Sequence, residues 1–184
     1  PRFDTYTICN LRGGIGKTSL AFNLAYLADE ILAVDTCPQC NLSWFFDNNY
    51  LQNVQLTVYD MLLPHFVPGL GSASRIAKSI AATNDFFEGK RAFYLPSDNH
   101  LYILPSQIAT AMVQAQRMAG SLQESIIDAM LFSLRDDIRR EMQETGTKRC
   151  IIDTSPFFSG ATHLSWHACD AMIIPVRTCL LYTS

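Results

Sequence analysis

The sequence predicts a three-layer α/β fold, in which helices pack on both faces of a mostly parallel sheet. Two apolar runs, Ile31 to Asp35 and Arg149 to Asp153, have the length of buried strands, and Ala171 to Val176 is a third. Between these runs, apolar residues recur at the three- and four-residue spacing of helices. Continuous apolar strands that alternate with helices are typical of parallel sheets covered on both faces.

Length and composition indicate one domain, which we place at residues 1–178 of the 184. The net charge of −3 and the pI near 5.7 give no sign of a basic surface for nucleic acid within this segment. No apolar run is long enough for a membrane span and no signal segment opens the chain, so we expect a cytoplasmic protein. The 6 cysteines lack the spacing of a disulfide framework, which suits a reducing compartment.

Both ends of the chain look cut. It starts at Pro1 rather than at a methionine, and Cys179 to Ser184 resembles the translation of a sequencing adaptor. We therefore expect residues 179–184 to be a scar, and the natural domain to continue differently after Thr178.

A glycine-rich loop follows the first predicted strand, Thr5 to Asn10. Its residues are Gly13, Gly14, Ile15, Gly16, Lys17, Thr18 and Ser19. A helical pattern begins directly after it, and strand, glycine loop and helix form the context in which backbone amides wrap a phosphate. Lys17 would then reach the β- and γ-phosphates and Thr18 would bind Mg²⁺. Leu11 replaces the first glycine of the general pattern, and a glycine-rich turn without a ligand is the alternative.

The middle of the chain carries weaker patterns. We expect helices at Thr57 to Leu63 and Ser72 to Ala82, a loop at Asn84 to Lys90, and a short edge strand at Ala92 to Leu95. Leu101 to Leu104 is predicted as a strand that Pro105 stops, with Ser106 capping a helix to about Ala119.

One long amphipathic helix is predicted from Ser121, where Ser-Leu-Gln-Glu resembles a capping box, to just before Gly146. An apolar stripe runs along one side. The charged residues that we expect on its solvent side are Glu124, Asp128, Arg135, Asp137, Arg139 and Glu141. A further helix near Thr162 to Ala168 precedes the last strand.

Two acidic residues end apolar strands. Asp153 closes Cys-Ile-Ile-Asp, which is the placement of the second acidic element of P-loop NTPases, where it would hold Mg²⁺ through a water. Asp35 ends another strand, and the carboxyl ends of parallel strands face the ligand crevice. A carboxylate that only caps the next turn is the alternative for Asp153.

Five segments together resemble the ParA/MinD family of deviant Walker A ATPases, and most closely its ParA/Soj partition proteins. They follow the family order over almost the whole chain: Asn10 to Ser19, Val34 to Leu42, Ile103 to Ser106, Ile151 to Pro156 and Asp170 to Val176. The first segment alone would indicate only an NTPase, whereas the set is specific.

The resemblance implies a P-loop NTPase fold, ATP and Mg²⁺ as cofactors, and an ATP-dependent homodimer formed around two nucleotides. It also implies a ParB-like or other adaptor partner and binding of the ATP form to nonspecific DNA, hence to the nucleoid, through residues beyond Thr178. In this family Asp35 would lie near the metal, through a water. The signature lysine that reaches the partner's phosphates corresponds to Arg12, which keeps the cation but is longer and bidentate.

Cys37 is the second departure from the family pattern. Relatives usually carry two acids after the second strand, and Asp35 matches the first, whereas Cys37 replaces the second, which orients the attacking water. A thiol is mostly neutral at pH 7 and accepts hydrogen bonds poorly. We therefore expect ATP binding to be kept and hydrolysis to be slow, with Arg12, Lys17, Asp35 and Cys37 as the catalytic positions.

Other functions stay open at this point. A scaffold or regulator that binds ATP without hydrolysis is one, and an ATP-dependent reductase component or a ligase of the same superfamily is another. Cys37 and Cys40 spell C-x-x-C, which can indicate metal or redox chemistry but has no second pair for zinc. His163 and His167 stand at i, i+4 without the glutamate of an H-E-x-x-H motif, which favours structural or surface roles.

Overall fold

A six-stranded sheet forms the centre of the structure, a computed structural model that describes residues 3–177. Its strands are β1 (Thr5–Ile8), β2 (Ile31–Asp35), β3 (Lys78–Ser79), β4 (Ala92–Leu95), β5 (Arg149–Asp153) and β6 (Ala171–Ile173). Their order across the sheet is β3-β4-β2-β5-β1-β6. Only the short β3 runs antiparallel among these strands. The predicted α/β fold with a mostly parallel sheet is confirmed, while the predicted scar at 179–184 lies outside the described residues.

Helices fill the connections between the strands. The α-helices of residues 3–177 are α1 (Lys17–Leu27), α2 (Asn41–Phe46), α3 (Tyr50–Asn53), α4 (Val58–Leu62), α5 (Leu104–Ala115), α6 (Ser121–Leu131), α7 (Ser133–Thr145) and α8 (Gly160–Ala168). Short 3-10 turns are formed by Leu63–His65, Ile80–Ala82, Asp85–Phe87 and Asn99–Tyr102. None of the helices described here is both long and apolar enough to cross a membrane.

The sheet is covered on both faces, as β2 shows. Leu32 and Val34 belong to one apolar cluster, with side chains from α4, α5, α7 and α8. Ile31 and Ala33 belong to a second cluster, with side chains from α1 and α2. Because successive side chains of a strand point to opposite faces, the two clusters lie on either side of the sheet. The predicted three layers follow from this arrangement.

The carboxyl ends of three neighbouring strands meet at one edge of the sheet. Ile8 is in register with Asp153, and Asp153 is in register with Asp35. The glycine-rich loop leaves the same edge, because it follows β1. Three segments far apart in the sequence are thereby brought together.

The predicted strand at Leu101 to Leu104 is wrong. Residues Asn99–Tyr102 form a 3-10 turn, and α5 already begins at Leu104 with Pro105 in its first turn. Proline suits this position, because its missing N–H would have no partner in the first turn and its fixed φ is helical. Ser106 does not cap the helix, since its hydroxyl donates to the carbonyl of Ile103 at 2.7 Å.

Two further predictions in the middle of the chain are wrong. Residues 72–77 are not helical, and Lys78–Ser79 and Ile80–Ala82 form β3 and a 3-10 turn. Residues Ala92–Leu95 do form a strand. However, β4 is not an edge strand, because it pairs with β2 on one side and with β3 on the other.

The predicted helix from Ser121 to Gly146 is two helices. Phe132 separates α6 from α7 with φ −95° and ψ 4°, and its ring meets the ring of His167 at a centroid distance of 5.7 Å. Ser121 is the first helical residue, and no side chain caps the N-terminus of α6 at Gly120, so the expected capping box is not formed.

Two acids that we expected on the solvent side of α7 are buried. Asp137 accepts from the Nη2 of Arg140 at 2.7 Å and contacts the Nε2 of His65 at 2.9 Å. Glu141 is 0% exposed and accepts the backbone N–H groups of Ile76 and Ala77 at 3.2 and 3.1 Å. The amides that a helix at 72–82 would use internally are thus given to Glu141, which explains the extended backbone there.

We predict that Glu141→Gln destabilises the protein by about 1 to 3 kcal/mol, because the amide retains one acceptor oxygen and turns an N–H₂ group toward the other backbone N–H. Urea denaturation followed by circular dichroism measures this change. Glu124→Gln, at an exposed position of α6, is the matched control and should change the free energy of unfolding by less than about 0.5 kcal/mol. Equal effects of the two substitutions would contradict the role of Glu141.

Candidate functional site

The glycine-rich loop has the backbone geometry of an anion site. Gly14 and Gly16 have φ values of 68° and 89°, in the left-handed region that side chains disfavour. Gly16 is the N-cap of α1, where no side chain makes a capping hydrogen bond and no acid lies in the first turn. The first amides of a helix have no partner within it and carry positive partial charge. The loop therefore presents N–H groups to a negatively charged ligand.

Lys17 lies across the inside of this loop. Its side-chain Nζ donates to the carbonyl oxygens of Asn10 at 2.8 Å and of Arg12 at 3.1 Å. The residue is only 6% exposed. A single ammonium group is thus held at the centre of the loop by uncharged oxygens, where it remains available to pair with an anion.

A cleft of about 410 Å³ opens at the loop. Its lining residues are Gly13, Gly14, Ile15, Gly16, Lys17, Thr18, Ser19, Cys37, Gln39, Asn41, Thr154 and Pro156. All seven predicted loop residues line it, and Cys37 of the β2–α2 loop faces them. The predicted glycine loop and the predicted segment Val34 to Leu42, which contains Cys37, therefore contribute to one site.

Thr18 and Asp153 meet beneath the cleft. The Thr18 hydroxyl donates to Asp153 Oδ2 at 2.7 Å. The other oxygen, Oδ1, is buried and has no hydrogen-bond partner. Burial, and then the neighbouring Asp35 carboxylate, raise the pKa of Asp153 to about 7. The hydrogen bond from Thr18 and the positive charge of Lys17 oppose this rise in pKa but do not cancel it.

A hydrated Mg²⁺ ion fits this pair of side chains. Magnesium prefers oxygen ligands and usually keeps several of its waters. The Thr18 hydroxyl supplies one oxygen, and the unpartnered Oδ1 of Asp153 can accept from a metal-bound water.

Asp35 is held by the protein itself. Its Oδ1 accepts the backbone N–H of Cys37 at 3.0 Å, and its Oδ2 accepts the N–H and the hydroxyl of Ser43 at 2.9 and 2.8 Å. Burial raises its pKa to about 6, although these hydrogen bonds oppose the shift. Since both oxygens of Asp35 are engaged, Asp153 offers the freer acceptor to a metal-bound water.

Cys37 is fixed by its backbone, and its thiol is buried. Besides the N–H bond to Asp35, its carbonyl accepts the Ser97 hydroxyl at 2.6 Å. The residue is 4% exposed, and burial followed by the Asp35 charge raises the pKa of the thiol to about 12. The thiol is therefore neutral throughout the physiological range and cannot act as a base.

Sequence reasoning missed Ser43 and Ser97, which complete the support of this loop. The Ser97 backbone N–H donates to the Ser43 hydroxyl at 2.9 Å, so Asp35, Ser43, Ser97 and Cys37 form a closed ring of hydrogen bonds. Ser97 lies two residues beyond β4, at the same edge of the sheet as Asp35. Its position after a parallel strand is the signal that could have found it, whereas Ser43 carries no signal of this kind.

Arg12, unlike Lys17, is exposed to solvent. The residue is exposed, and only its backbone takes part in the loop, donating to the Asn10 side chain at 2.8 Å and accepting from Lys17. No hydrogen bond or ion pair joins its guanidinium to another side chain of residues 3–177. The charged end is thus free to contact a group outside the chain.

Of the two remaining candidate motifs, only Cys37 of the C-x-x-C turn lines this cleft. Cys37 and Cys40 are buried free thiols in one turn, where Cys40 donates its backbone N–H to the carbonyl of Cys37 at 2.9 Å. His163 and His167 lie on α8, outside the residues that line the cleft. Residues 3–177 contain no cluster of three or more His, Cys, Asp or Glu suited to a metal ion.

Comparison with known proteins identifies a family. The family described as AAA domain (AAA_31) matches residues 4–183. No curated sequence matches the chain significantly.

Solved structures share the fold at low sequence identity. A plasmid partition protein from Borrelia burgdorferi bound to AMPPNP has a TM-score of 0.61 and 15% identity, over 95% of this chain and 61% of its own. A Cyanothece McdA–ATP complex has a TM-score of 0.57 and 24% sequence identity, over 94% of this chain and 55% of its own. Cobyrinic acid a,c-diamide synthase from Mycobacterium smegmatis, with ADP and magnesium, has a TM-score of 0.63 and 18% sequence identity, over 95% of this chain and 60% of its own. The chain thus spans less than two thirds of these proteins.

We predict that Ser43→Ala destabilises the protein by about 1 to 3 kcal/mol, because it removes a donor from buried Asp35 and leaves the Ser97 N–H without its acceptor. Chemical denaturation gives the value. Ser125→Ala, at an exposed position of α6, is the control and should change the free energy of unfolding by less than about 0.5 kcal/mol. If Ser43→Ala and Ser97→Ala were fully additive in the double variant, the two hydroxyls would not belong to one network.

Proposed function

The chain belongs to the AAA domain family, and from this premise we propose that it is a ParA-like switch that dimerises when it binds ATP with Mg²⁺. Such a switch would serve the partition of plasmids or chromosomes, or the positioning of another cargo. The observation that carries the proposal is the glycine loop around Lys17, with the Thr18–Asp153 pair beneath it. The loop fits a polyphosphate, and the pair fits its metal ion.

Nucleotides in similar structures support the choice of ligand. The Borrelia protein was solved with AMPPNP, the McdA protein with ATP, and the synthase with ADP and magnesium. Each of these nucleotides is bound to a protein whose fold this chain shares. ATP with Mg²⁺ is therefore the pair of cofactors that we propose for the cleft.

We propose one role for each group of the site. Lys17 and the N–H groups of Gly13 to Ser19 bind the phosphates and offset their charge. Thr18 and Asp153 hold Mg²⁺, Asp153 through a water, and Asp35 orients a second water of the same ion. When bound, Mg²⁺ supplies positive charge that stabilises the phosphates during transfer. The same charge would draw Asp153, whose pKa is raised to about 7 without it, into its ionised form.

Arg12 is the proposed contact between two subunits. The residue is exposed and its guanidinium is unpaired among residues 3–177, as a group that reaches a partner's phosphates must be. A cation supplied in trans can raise the rate of phosphoryl transfer by about 10³ to 10⁵. We propose that the ATP-bound homodimer works with a ParB-like or other adaptor and binds nonspecific DNA of the nucleoid through residues beyond Thr178.

Cys37 favours a second candidate, an ATP-binding scaffold or regulator that does not hydrolyse its nucleotide. Cys37 lines the cleft at the position where the resemblance implies a carboxylate, and burial raises the pKa of its thiol to about 12, which keeps it protonated. It cannot accept a proton from an attacking water. Slow hydrolysis is common to both candidates, and dimerisation with DNA binding separates them.

The proposal predicts that Mg-ATP shifts the purified full-length protein, with its natural residues beyond Thr178, from monomer to dimer and increases its retention on nonspecific DNA. Lys17→Ala should abolish both effects, because the loop loses the buried cation that we propose to bind the phosphates. Light scattering and DNA retention measure them. Lys148→Ala is the control, since Lys148 precedes β5 at the opposite edge of the sheet, and it should behave as the wild type. ATP binding without either effect would favour the scaffold, and no ATP binding would contradict both candidates.

We predict that Cys37→Asp speeds ATP turnover by at least about tenfold in the dimer, because a positioned carboxylate that accepts a proton contributes roughly 10² to 10⁴ in rate. Phosphate release under multiple-turnover conditions is the measurement. Cys37→Asn has nearly the same shape without the basic group and should leave turnover unchanged. If the Asp and Asn variants turned over equally, Cys37 would not be what limits hydrolysis.

A further inference from the structure

Two histidines converge on one face of α8. His163 and His167 lie one turn apart, and their Nε2 atoms are 3.3 Å from each other. Both residues are partly exposed. The glycine loop and its cleft do not include either ring.

Neighbouring aromatic rings fix the two imidazoles. The Phe158 ring lies 5.9 Å from that of His163, and the Trp166 ring is perpendicular to it at 6.3 Å. The Phe132 ring meets His167 edge-on at 5.7 Å. The break between α6 and α7 at Phe132 thus supports one of the histidines. This packing limits the rotation of both rings and keeps their Nε2 atoms together.

The spacing of the two nitrogens matches that of a metal site. Zinc–imidazole bonds of 2.0 to 2.1 Å at a tetrahedral angle place two ligand nitrogens about 3.3 to 3.4 Å apart. We propose that His163 and His167 form a binding site for a divalent transition metal such as Zn²⁺, Co²⁺ or Ni²⁺, the ions that imidazole nitrogen prefers.

Metal binding requires only a change of tautomer. At 3.3 Å the two Nε2 atoms are within hydrogen-bond distance, and the tautomers of the rings decide which of them donates. When the donor ring carries its hydrogen on Nδ1 instead, both Nε2 lone pairs face the ion, and the chain releases no proton. The described residues contribute no third ligand, so waters complete the coordination and the affinity is moderate.

The site is distinct from the proposed magnesium site. Magnesium requires oxygen ligands, whereas these ligands are two nitrogens, and Thr18 and Asp153 offer oxygen only. The two sites are linked by the loop that runs from Asp153 to α8, since Phe158 of this loop packs on His163. An ion on the histidines would stiffen the end of that loop.

Cobalt titration of the untagged, nucleotide-free protein tests the proposal. We expect one Co²⁺ per chain, with visible d–d absorption of a nitrogen and oxygen environment and no sulfur-to-cobalt charge-transfer band. His163→Gln and His167→Gln should each weaken binding at least tenfold, whereas exposed His100→Gln should leave it unchanged. Zinc should displace the cobalt, and millimolar Mg²⁺ should not. Circular dichroism establishes that each variant is folded.

Three outcomes would overturn the proposal. The first is the absence of Co²⁺ binding, and the second is binding that persists in a folded His163→Gln, His167→Gln double variant. The third is a sulfur-to-cobalt band that disappears in Cys37→Ser, which would place the metal on the C-x-x-C turn instead.

Discussion

The hydrogen bond between Thr18 and Asp153 joins the first turn of α1 to the end of β5, and the geometry of the cleft depends on it. It forms because β1 and β5 are parallel neighbours whose carboxyl ends meet, so the loop after one strand lies over the last residue of the other. The bond engages one oxygen of a fully buried carboxylate and leaves the second without a donor. Such an arrangement is costly without a cation and favourable with one, which links the fold to its proposed cofactor.

The β2–α2 loop shows that geometry and reactivity are separable in this cleft. Asp35, Ser43 and Ser97 hold the backbone of Cys37 on both sides, by its N–H and by its carbonyl. Cys37 is therefore held in place beside the glycine loop, while burial keeps its thiol protonated. Nothing in this network needs a carboxylate at residue 37. The phosphate-binding half of the site can be complete although the proton-accepting half is not.

The sequence was informative where structure depends on local chemistry. Gly14 and Gly16 adopt the left-handed backbone that a phosphate loop needs, and the apolar run Ile31–Asp35 became a strand with the predicted bounds. The sequence was misleading where a residue far along the chain decides the local backbone conformation. The segment 72–82 has a helical pattern, but buried Glu141 takes two of its amides, and periodicity cannot show which acid of a helix is buried. Ser97 was detectable only once the strand order was known.

The nucleotide retained by the purified protein tests the central claim, that this cleft binds ATP and hydrolyses it slowly. The protein is incubated with Mg-ATP, separated from free nucleotide by rapid gel filtration, and denatured so that ATP and ADP can be quantified. We expect close to one nucleotide per chain, most of it intact ATP after many minutes. Nucleotide recovered mainly as ADP within seconds would contradict slow hydrolysis. A protein that retains no nucleotide would contradict ATP binding at the loop.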